Sequence, residues 1–277
     1  MSKTWFITGT SKGFGRHWAQ AALDRGDNVA ATARNLDTLQ PLVDTYGDRV
    51  LPLQLDVTDK AAVTTAVNRA HEHFGRLDVV VNNAGYGLFG AVEEVSEAQA
   101  RAQLDTNFFG ALWVTQAVLP ILRAQGSGHI IQVSSIGGIL AFPNLGLYHA
   151  SKWALEGLSQ TLAQEVAPLG IHVTLVEPTA YSTDWSGPSS VHAAALEAYE
   201  PVRAAIAARY TVPGAVGDPT ATPAAILAVV DADQPPLRVF LGHGPLDATR
   251  ADYAQRIATW EQWDTVSQAA HGTPAGQ

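Results

Sequence analysis

Apolar residues in this chain follow two rhythms. Short unbroken runs occupy residues 4–8, 28–33, 50–56, 77–82, 129–134, 171–177 and 238–241. Most do not alternate with polar residues, which is the pattern of strands buried on both faces. Between them, apolar residues return every three or four positions, the period of one helix face. Seven runs with helical spacers predict one doubly wound α/β domain. It would be a parallel sheet of about seven strands with helices on both faces. No solenoid-length repeat is present.

Several helical stretches say more. Residues 60–73 form one helix. Residues 97–123 form a longer one, with Leu104, Phe108, Ala111, Thr115, Val118 and Leu122 on one stripe and Phe109, Leu112 and Gln116 beside it. That surface is wider than one contact with a sheet needs. A second helix is expected there, contributed by another subunit. Residues 153–166 carry a second stripe, Leu155, Leu158, Leu162 and Val166. Together the two helices predict a homodimer or homotetramer with closed symmetry. Residues 184–220 break the rhythm: Trp185, Gly187, Pro188, Tyr199, Pro201, Tyr210, Pro213 and Gly214 mix with Ala-rich turns. So long an irregular segment inside a domain is usually functional, and a substrate lid is expected. The body then spans residues 1–245. Residues 246–277 add a helix, marked by Tyr253, Ile257, Trp260 and Asp264, and a frayed tail from residue 271.

Composition narrows what such a domain can do. The chain has 277 residues, 47% hydrophobic and 16% charged, enough for one large core. The formal net charge is -9, which argues against nucleic-acid phosphates or an anionic membrane as partner. With no cysteine, disulfides and thiolate catalysis are excluded. No apolar run approaches the roughly 20 residues of a membrane span. Residues 1–5 lead straight into the first strand without a signal-peptide pattern. A cytoplasmic protein is expected.

The candidate chemistry centres on Tyr148 and Lys152, four apart and so one turn from each other on a helix face. A free tyrosine, with a pKa of about 10, is a weak acid or base at neutral pH. A nearby cation favours the phenolate, and a tyrosine tuned this way can exchange a proton with an alcohol oxygen. Ser135 lies thirteen residues upstream of Tyr148, after the fifth run. Asn107 sits inside the 97–123 helix, where asparagine is a mediocre residue. Thr8-Gly9-Thr10-Ser11-Lys12-Gly13-Phe14-Gly15 follows the first run and precedes a helix starting near Phe14. Glycines there let backbone approach a pyrophosphate, and the helix start offers free N–H groups. Asn82-Asn83-Ala84-Gly85 closes the fourth run. No GxSxG elbow makes a serine nucleophilic. His129 and His149 have no metal-ligand spacing, so no metal is expected.

In this order and spacing, these motifs resemble the short-chain dehydrogenase/reductase family over about residues 3–245. The resemblance implies a Rossmann-type fold and hydride transfer between a nicotinamide cofactor and a ketone, aldehyde or alcohol. Tyr148 would be the acid/base. Lys152 would lower its pKa and hold the nicotinamide ribose. Ser135 would fix the substrate oxygen, and Asn107 would hold a water linking Lys152 to solvent. The cofactor would lie on Gly9, Ser11, Lys12, Gly13, Phe14 and Gly15. Asp56 would accept from the adenine amino group, with the Val57 backbone along the ring. Asn83, Ala84, Gly85, Pro178 and Thr183 would line the rest. NAD-preferring members usually carry Asp where this chain has Ala33. Arg34 follows it, and with Lys12 it predicts a 2′-phosphate, hence NADP(H) over NAD(H). Thr179 stands where the family usually has Gly, which puts the local loop in question. An isomerase or dehydratase on the same fold, or a non-catalytic NADP-binding regulator, are the alternatives. The intact Asn107, Ser135, Tyr148 and Lys152 speak against the regulator.

Overall fold

All seven apolar runs become strands of one sheet. In this computed structural model, which describes residues 2–187, 189–210 and 214–272, they are β1 (Thr4–Ile7), β2 (Asn28–Ala33), β3 (Val50–Gln54), β4 (Val79–Asn82), β6 (Gly128–Val133), β7 (Ile171–Pro178) and β9 (Arg238–Leu241). Their order is β3-β2-β1-β4-β6-β7-β9 and every pairing is parallel. The sheet is doubly wound, with the order reversing between β1 and β4.

Alternate residues of β1 explain the unbroken runs. Trp5 and Ile7 face one layer, with Trp18 and Leu23 of α1 (Gly13–Asp24), Leu42 of α2 (Gln40–Tyr46) and Ile226 of α8 (Thr222–Asp231). Phe6 faces the other, with Val63 and Val67 of α3 (Lys60–Phe74), Val114, Val118 and Leu122 of α5 (Gly110–Gln125), and Leu162 of α6 (Gly146–Val166). Each such fully buried side chain contributes roughly 1.5–3 kcal/mol. Across β4 and β6, Asn82 donates to Gln132 Oε1 at 3.0 Å and Thr115 Oγ1 at 3.1 Å, so this buried amide joins strands to α5.

The single helix expected over 97–123 is present and runs from Glu97 to Gln125 without a break, but one turn of it is irregular. It is α4 (Glu97–Leu104), one π-helical turn (Asp105–Phe109), then α5. The turn admits an extra residue into the helical ladder, a feature common at functional sites. Asn107 occupies it. Gly110 follows because a Cβ there would lie 2.6 Å from Val57 Cγ2. Two short strands form a second, separate pair: β8 (Val191–His192), inside residues 184–220, runs parallel to β5 (Leu88–Phe89), which lies outside them. The same region also carries 3₁₀ turns at Asp184–Ser186 and Glu197–Tyr199, then α7 (Glu200–Tyr210), and ends as a further 3₁₀ turn (Pro219–Ala221) begins. Pro188, Pro213, the Tyr210 side chain and residues 273–277 of the expected tail lie outside the described residues.

The chain divides into two compact units, Met1–Gly242 and His243–Gln277. The second is α9 (Pro245–His271), whose Tyr253, Ile257 and Trp260 are exposed. No described helix is long and apolar enough to cross a membrane.

One buried group makes stability depend on acid. His129 on β6 is 6% exposed, with Nε2 2.9 Å from Thr174 Oγ1. Burial, with repulsion from His172 and Lys3, holds its pKa down from 6.5 to about 3. Above the unfolded value, both states are neutral and nothing is lost. As pH falls below it, the unfolded chain takes up a proton that the folded chain refuses, so stability drops until about pH 3. At about 1.36 kcal/mol per unit, the loss is about 2 kcal/mol at pH 5. Chemical denaturation at pH 7 and pH 5 checks this. His129→Gln should flatten the difference by that amount; a variant keeping the full slope would clear His129 of the role.

Candidate active site

The first turns of α6 carry both Tyr148 and Lys152, 5% and 6% exposed. Lys152 Nζ lies 5.8 Å from the centre of the Tyr148 ring and donates to Val133 O, at the end of β6, at 2.7 Å. Burial lowers its pKa to about 8, with Glu156 acting in the opposite direction. The group is still mainly an ammonium at neutral pH. A phenol and an ammonium in a dry setting can exchange a proton with a bound oxygen.

Asn107 closes on this pair from the π turn. Its Nδ2 donates to Tyr86 O at 3.0 Å and Ser151 Oγ at 3.2 Å, and Oδ1 accepts from Tyr86 N at 3.1 Å. Ser151 is the neighbour of Lys152, so the amide ties α6 to the loop after β4. Gly85 keeps that passage open: a Cβ there would lie 3.1 Å from Asn107 Oδ1 and 3.8 Å from Lys152 Nζ.

Ser135 follows β6 in extended backbone. Its Oγ accepts from Gly137 N at 3.0 Å and sits 3.5 Å from Pro178 O. A residue without an assigned role in the sequence fixes this loop against α6. His149 Nδ1 donates to Gly137 O at 2.8 Å, and Nε2 accepts from Phe142 N at 2.9 Å. Those bonds require the neutral Nδ1–H tautomer, and burial lowers the pKa accordingly. Its adjacency to Tyr148 was the only sequence signal.

The glycine loop is locked to the end of β4. Asn83 N and Ala84 N both donate to Thr8 Oγ1 at 2.9 Å, and Asn83 Nδ2 reaches Thr8 O at 2.8 Å and Gly9 O at 3.0 Å. Gly9 has φ +70° and Gly13 φ +58°, the left-handed region that glycine enters freely. A Cβ on Gly15 would lie 2.5 Å from Gly9 O. The start of α1, with Ser11 and Lys12 before it, has no side-chain cap and no acid in its first turn. Its N–H groups remain available to an anion.

Other expected cofactor residues have local partners as well. Phe14 stacks on Trp18 at 5.3 Å and meets Tyr181 edge-on at 5.0 Å. Asp56 Oδ1 accepts from Thr58 N and Oγ1 at 3.0 and 2.8 Å, while Asp59 caps α3. Val57 is buried, and Thr183 lies beside Gly13. Arg34 is exposed at the end of β2, with no side-chain partner among the described residues. Lys12 Nζ pairs with Asp184 at 2.9 Å, a partner the sequence did not suggest. Together the glycine loop and the uncapped helix start fit a dinucleotide's pyrophosphate.

Thr179 keeps an ordinary backbone, since among the described residues only Asn144 has positive φ outside glycine. The special conformation sits across from it, at Gly242 with φ +113°, where a Cβ would come within 2.0 Å of Thr179 Oγ1.

The 3₁₀ turn at Asp184–Ser186 brings Trp185 onto Tyr148, edge-on at 4.9 Å, and onto Phe89 at 5.3 Å. Gly87 makes room, as a Cβ there would lie 2.8 Å from the indole. A groove of about 340 Å³ lies between Pro143 and the Pro201, Val202, Ala205 and Ile206 side of α7. Among the described residues, no group of three His, Asp or Glu is placed to hold a metal.

Known proteins share this fold. The profile of the family described as short chain dehydrogenase matches residues 3–193. The oxidoreductase BOA17 of Botryotinia fuckeliana is 43% identical over 98% of this chain and 100% of its own. A short-chain dehydrogenase from Streptomyces avermitilis superposes with TM-score 0.89 at 38% identity, covering 97% of this chain and 98% of that one. ElxO, solved with NADP, superposes with TM-score 0.75 at 26% identity, covering 89% and 100%. Further solved neighbours hold NADP or NAD. Matched across most of its length in sequence and across its whole sheet in structure, the chain belongs to the short-chain dehydrogenase/reductase family of oxidoreductases.

Proposed function

We propose that the chain interconverts a ketone or aldehyde with an alcohol, using NADP(H). The observation that carries this reading is Tyr148 beside the buried Lys152 ammonium, with Ser135 on the adjoining loop. The cofactor, when bound, supplies or accepts the hydride. The chain supplies the proton and the geometry. The Tyr148 hydroxyl protonates the substrate oxygen during reduction and takes the proton back during oxidation. Lys152 favours the phenolate and binds the nicotinamide ribose. Ser135 holds the substrate oxygen, and Asn107 braces Lys152 and links it to solvent. Gly9, Ser11, Gly13, Gly15, Asn83, Ala84, Gly85, Asp56, Val57, Pro178 and Thr183 form the cofactor cleft.

Arg34, with no acid at Ala33, supports NADP(H) over NAD(H). Lys12 joins it on leaving Asp184; both are half exposed, and such pairs contribute only about 0–1 kcal/mol. Trp185, Phe89 and the apolar groove by Pro143 support an apolar carbonyl substrate. We place the protein in the cytoplasm. The direct test follows NADPH absorbance with a panel of apolar ketones and aldehydes. Consumption that depends on the carbonyl supports the reading, and none across the panel sinks it.

The same reading includes a homodimer or homotetramer built on α5 and α6. Phe109 and Trp153, at the edges of their apolar stripes, are 36% and 40% exposed. Light scattering at micromolar concentration should give a dimer or tetramer mass, and Trp153→Glu should shift it towards monomer. A monomeric wild type counts against it.

A further inference from the structure

Two carboxylates buried behind the site have no part in the chemistry above. Glu156 on α6 is 5% exposed and Glu177 on β7 is 1% exposed. Both are joined to reacting groups through the chain. Glu156 stands one helical turn beyond Lys152 and two beyond Tyr148. Glu177 directly precedes Pro178, whose carbonyl faces Ser135. Arg238 on β9 meets both: its Nε lies 3.0 Å from Glu156 Oε2 and 3.4 Å from Glu177 Oε1. Its second arm donates to Gln160 Oε1 at 2.9 Å. Both Glu177 oxygens accept no hydrogen bond, and Glu156 has the Ser134 hydroxyl beside it.

One guanidinium cannot neutralise two carboxylates. Both ionised would leave an excess negative charge out of water, which is costly. A proton retained between them removes it. Burial pushes both carboxyls up, and the charge of Glu156 helps push Glu177 to about 8. Among the described residues, the other charged groups facing the pair are Lys152 on α6 and Arg238 on β9. Burial brings the Lys152 pKa down to about 8, and the charge of Glu156 opposes the loss of its proton.

We propose that Glu156 and Glu177 share one proton at neutral pH and are positioning residues for Lys152, because on losing that proton in alkaline solution they hold Lys152 as the ammonium. At neutral pH the pair carries one negative charge against Arg238. In alkaline solution the shared proton passes to water beside Arg238, which is a third exposed. The pair then carries two negative charges. The second one stabilises the Lys152 ammonium, and with it the setting of Tyr148. The kinetic arm rests on the acid–base reading; the spectroscopic arm does not.

Infrared spectra of the wild-type protein between pH 6 and pH 10 test the shared proton. A protonated-carboxyl C=O band should be present at pH 7 and disappear in alkaline solution. Glu177→Gln and Glu156→Gln should each abolish it, since the remaining carboxyl ionises against Arg238. In either variant the alkaline limb of kcat/KM should move down by about one unit. The ratio of the rate at pH 9 to that at pH 7 then falls about tenfold. Glu177→Asp, which keeps a carboxyl, should restore the limb. A merely structural role would lower stability and leave the limb in place. The proposal is overturned if wild type lacks the band at pH 7, or if a folded Glu177→Gln keeps the wild-type limb. Should one variant fail to fold, the wild-type titration and the other variant decide. Absence of turnover in every form would strike the acid–base reading, while the band still reports on the pair.

Discussion

Replacing Tyr148 with phenylalanine is expected to lower turnover by about 10²–10⁴-fold, the usual contribution of a positioned general acid or base, and to leave cofactor binding in place. The substitution removes one oxygen and keeps the ring. The ring's edge-on contact with Trp185, its packing on His149 and its distance from Lys152 all persist. Lys152 stays anchored on Val133 O. The lost rate therefore reports the transferable proton rather than a collapsed site. Reduction kinetics and NADPH titration of the purified variant check it together. Near-wild-type reduction would remove Tyr148 from its role. Loss of NADPH binding in step with activity would assign it to the cofactor cleft instead.

The sequence revealed the sheet because its strands are buried on both faces. Nothing polar interrupts Trp5 to Ile7 or Val79 to Val81, and runs this short favour a strand over a buried helix. The motifs around Tyr148, Ser135 and Asn107 were legible because each lies within a few residues of a strand end or along one helix. The π turn was hidden for the opposite reason. The stripe from Leu104 to Leu122 passes through it unbroken, and what decides the extra residue is distant: Gly110 against Val57, and Asn107 on the Tyr86 backbone. Lys12 with Asp184, Trp185 on Tyr148, and Arg238 between Glu156 and Glu177 likewise join residues far apart in the chain. No local pattern announces them. Phe14 and Asp56 show a milder version. Family position marked them for the cofactor, while the fold also engages them in ring stacking and a turn.

Arg34→Ala should weaken NADPH binding by about tenfold to somewhat over a hundredfold and barely move NADH. The range follows from roughly 1.5–3 kcal/mol for hydrogen bonds to a charged group, at about 1.4 kcal/mol per tenfold. A guanidinium fork suits the 2′-phosphate, and NADH has only a hydroxyl at that position. The exposed Arg34 side chain has no partner among the described residues, so no internal ion pair has to break before it binds. Lys12 differs, since its ammonium is held by Asp184 at 2.9 Å. Its contribution is reduced by that exchange, and Lys12→Ala should cost less than Arg34→Ala. Ala33→Asp should reverse preference further by setting a carboxylate against the phosphate and an acceptor before a free 2′-OH. Ala33 is only 4% exposed, so that variant carries a stability cost of its own and Arg34→Ala is the cleaner measurement. The comparison is kcat/KM for NADPH and NADH in wild type and Arg34→Ala. If wild type already prefers NADH, or the ratio is unchanged in the variant, Arg34 is a solvated surface charge and the NADP(H) reading fails.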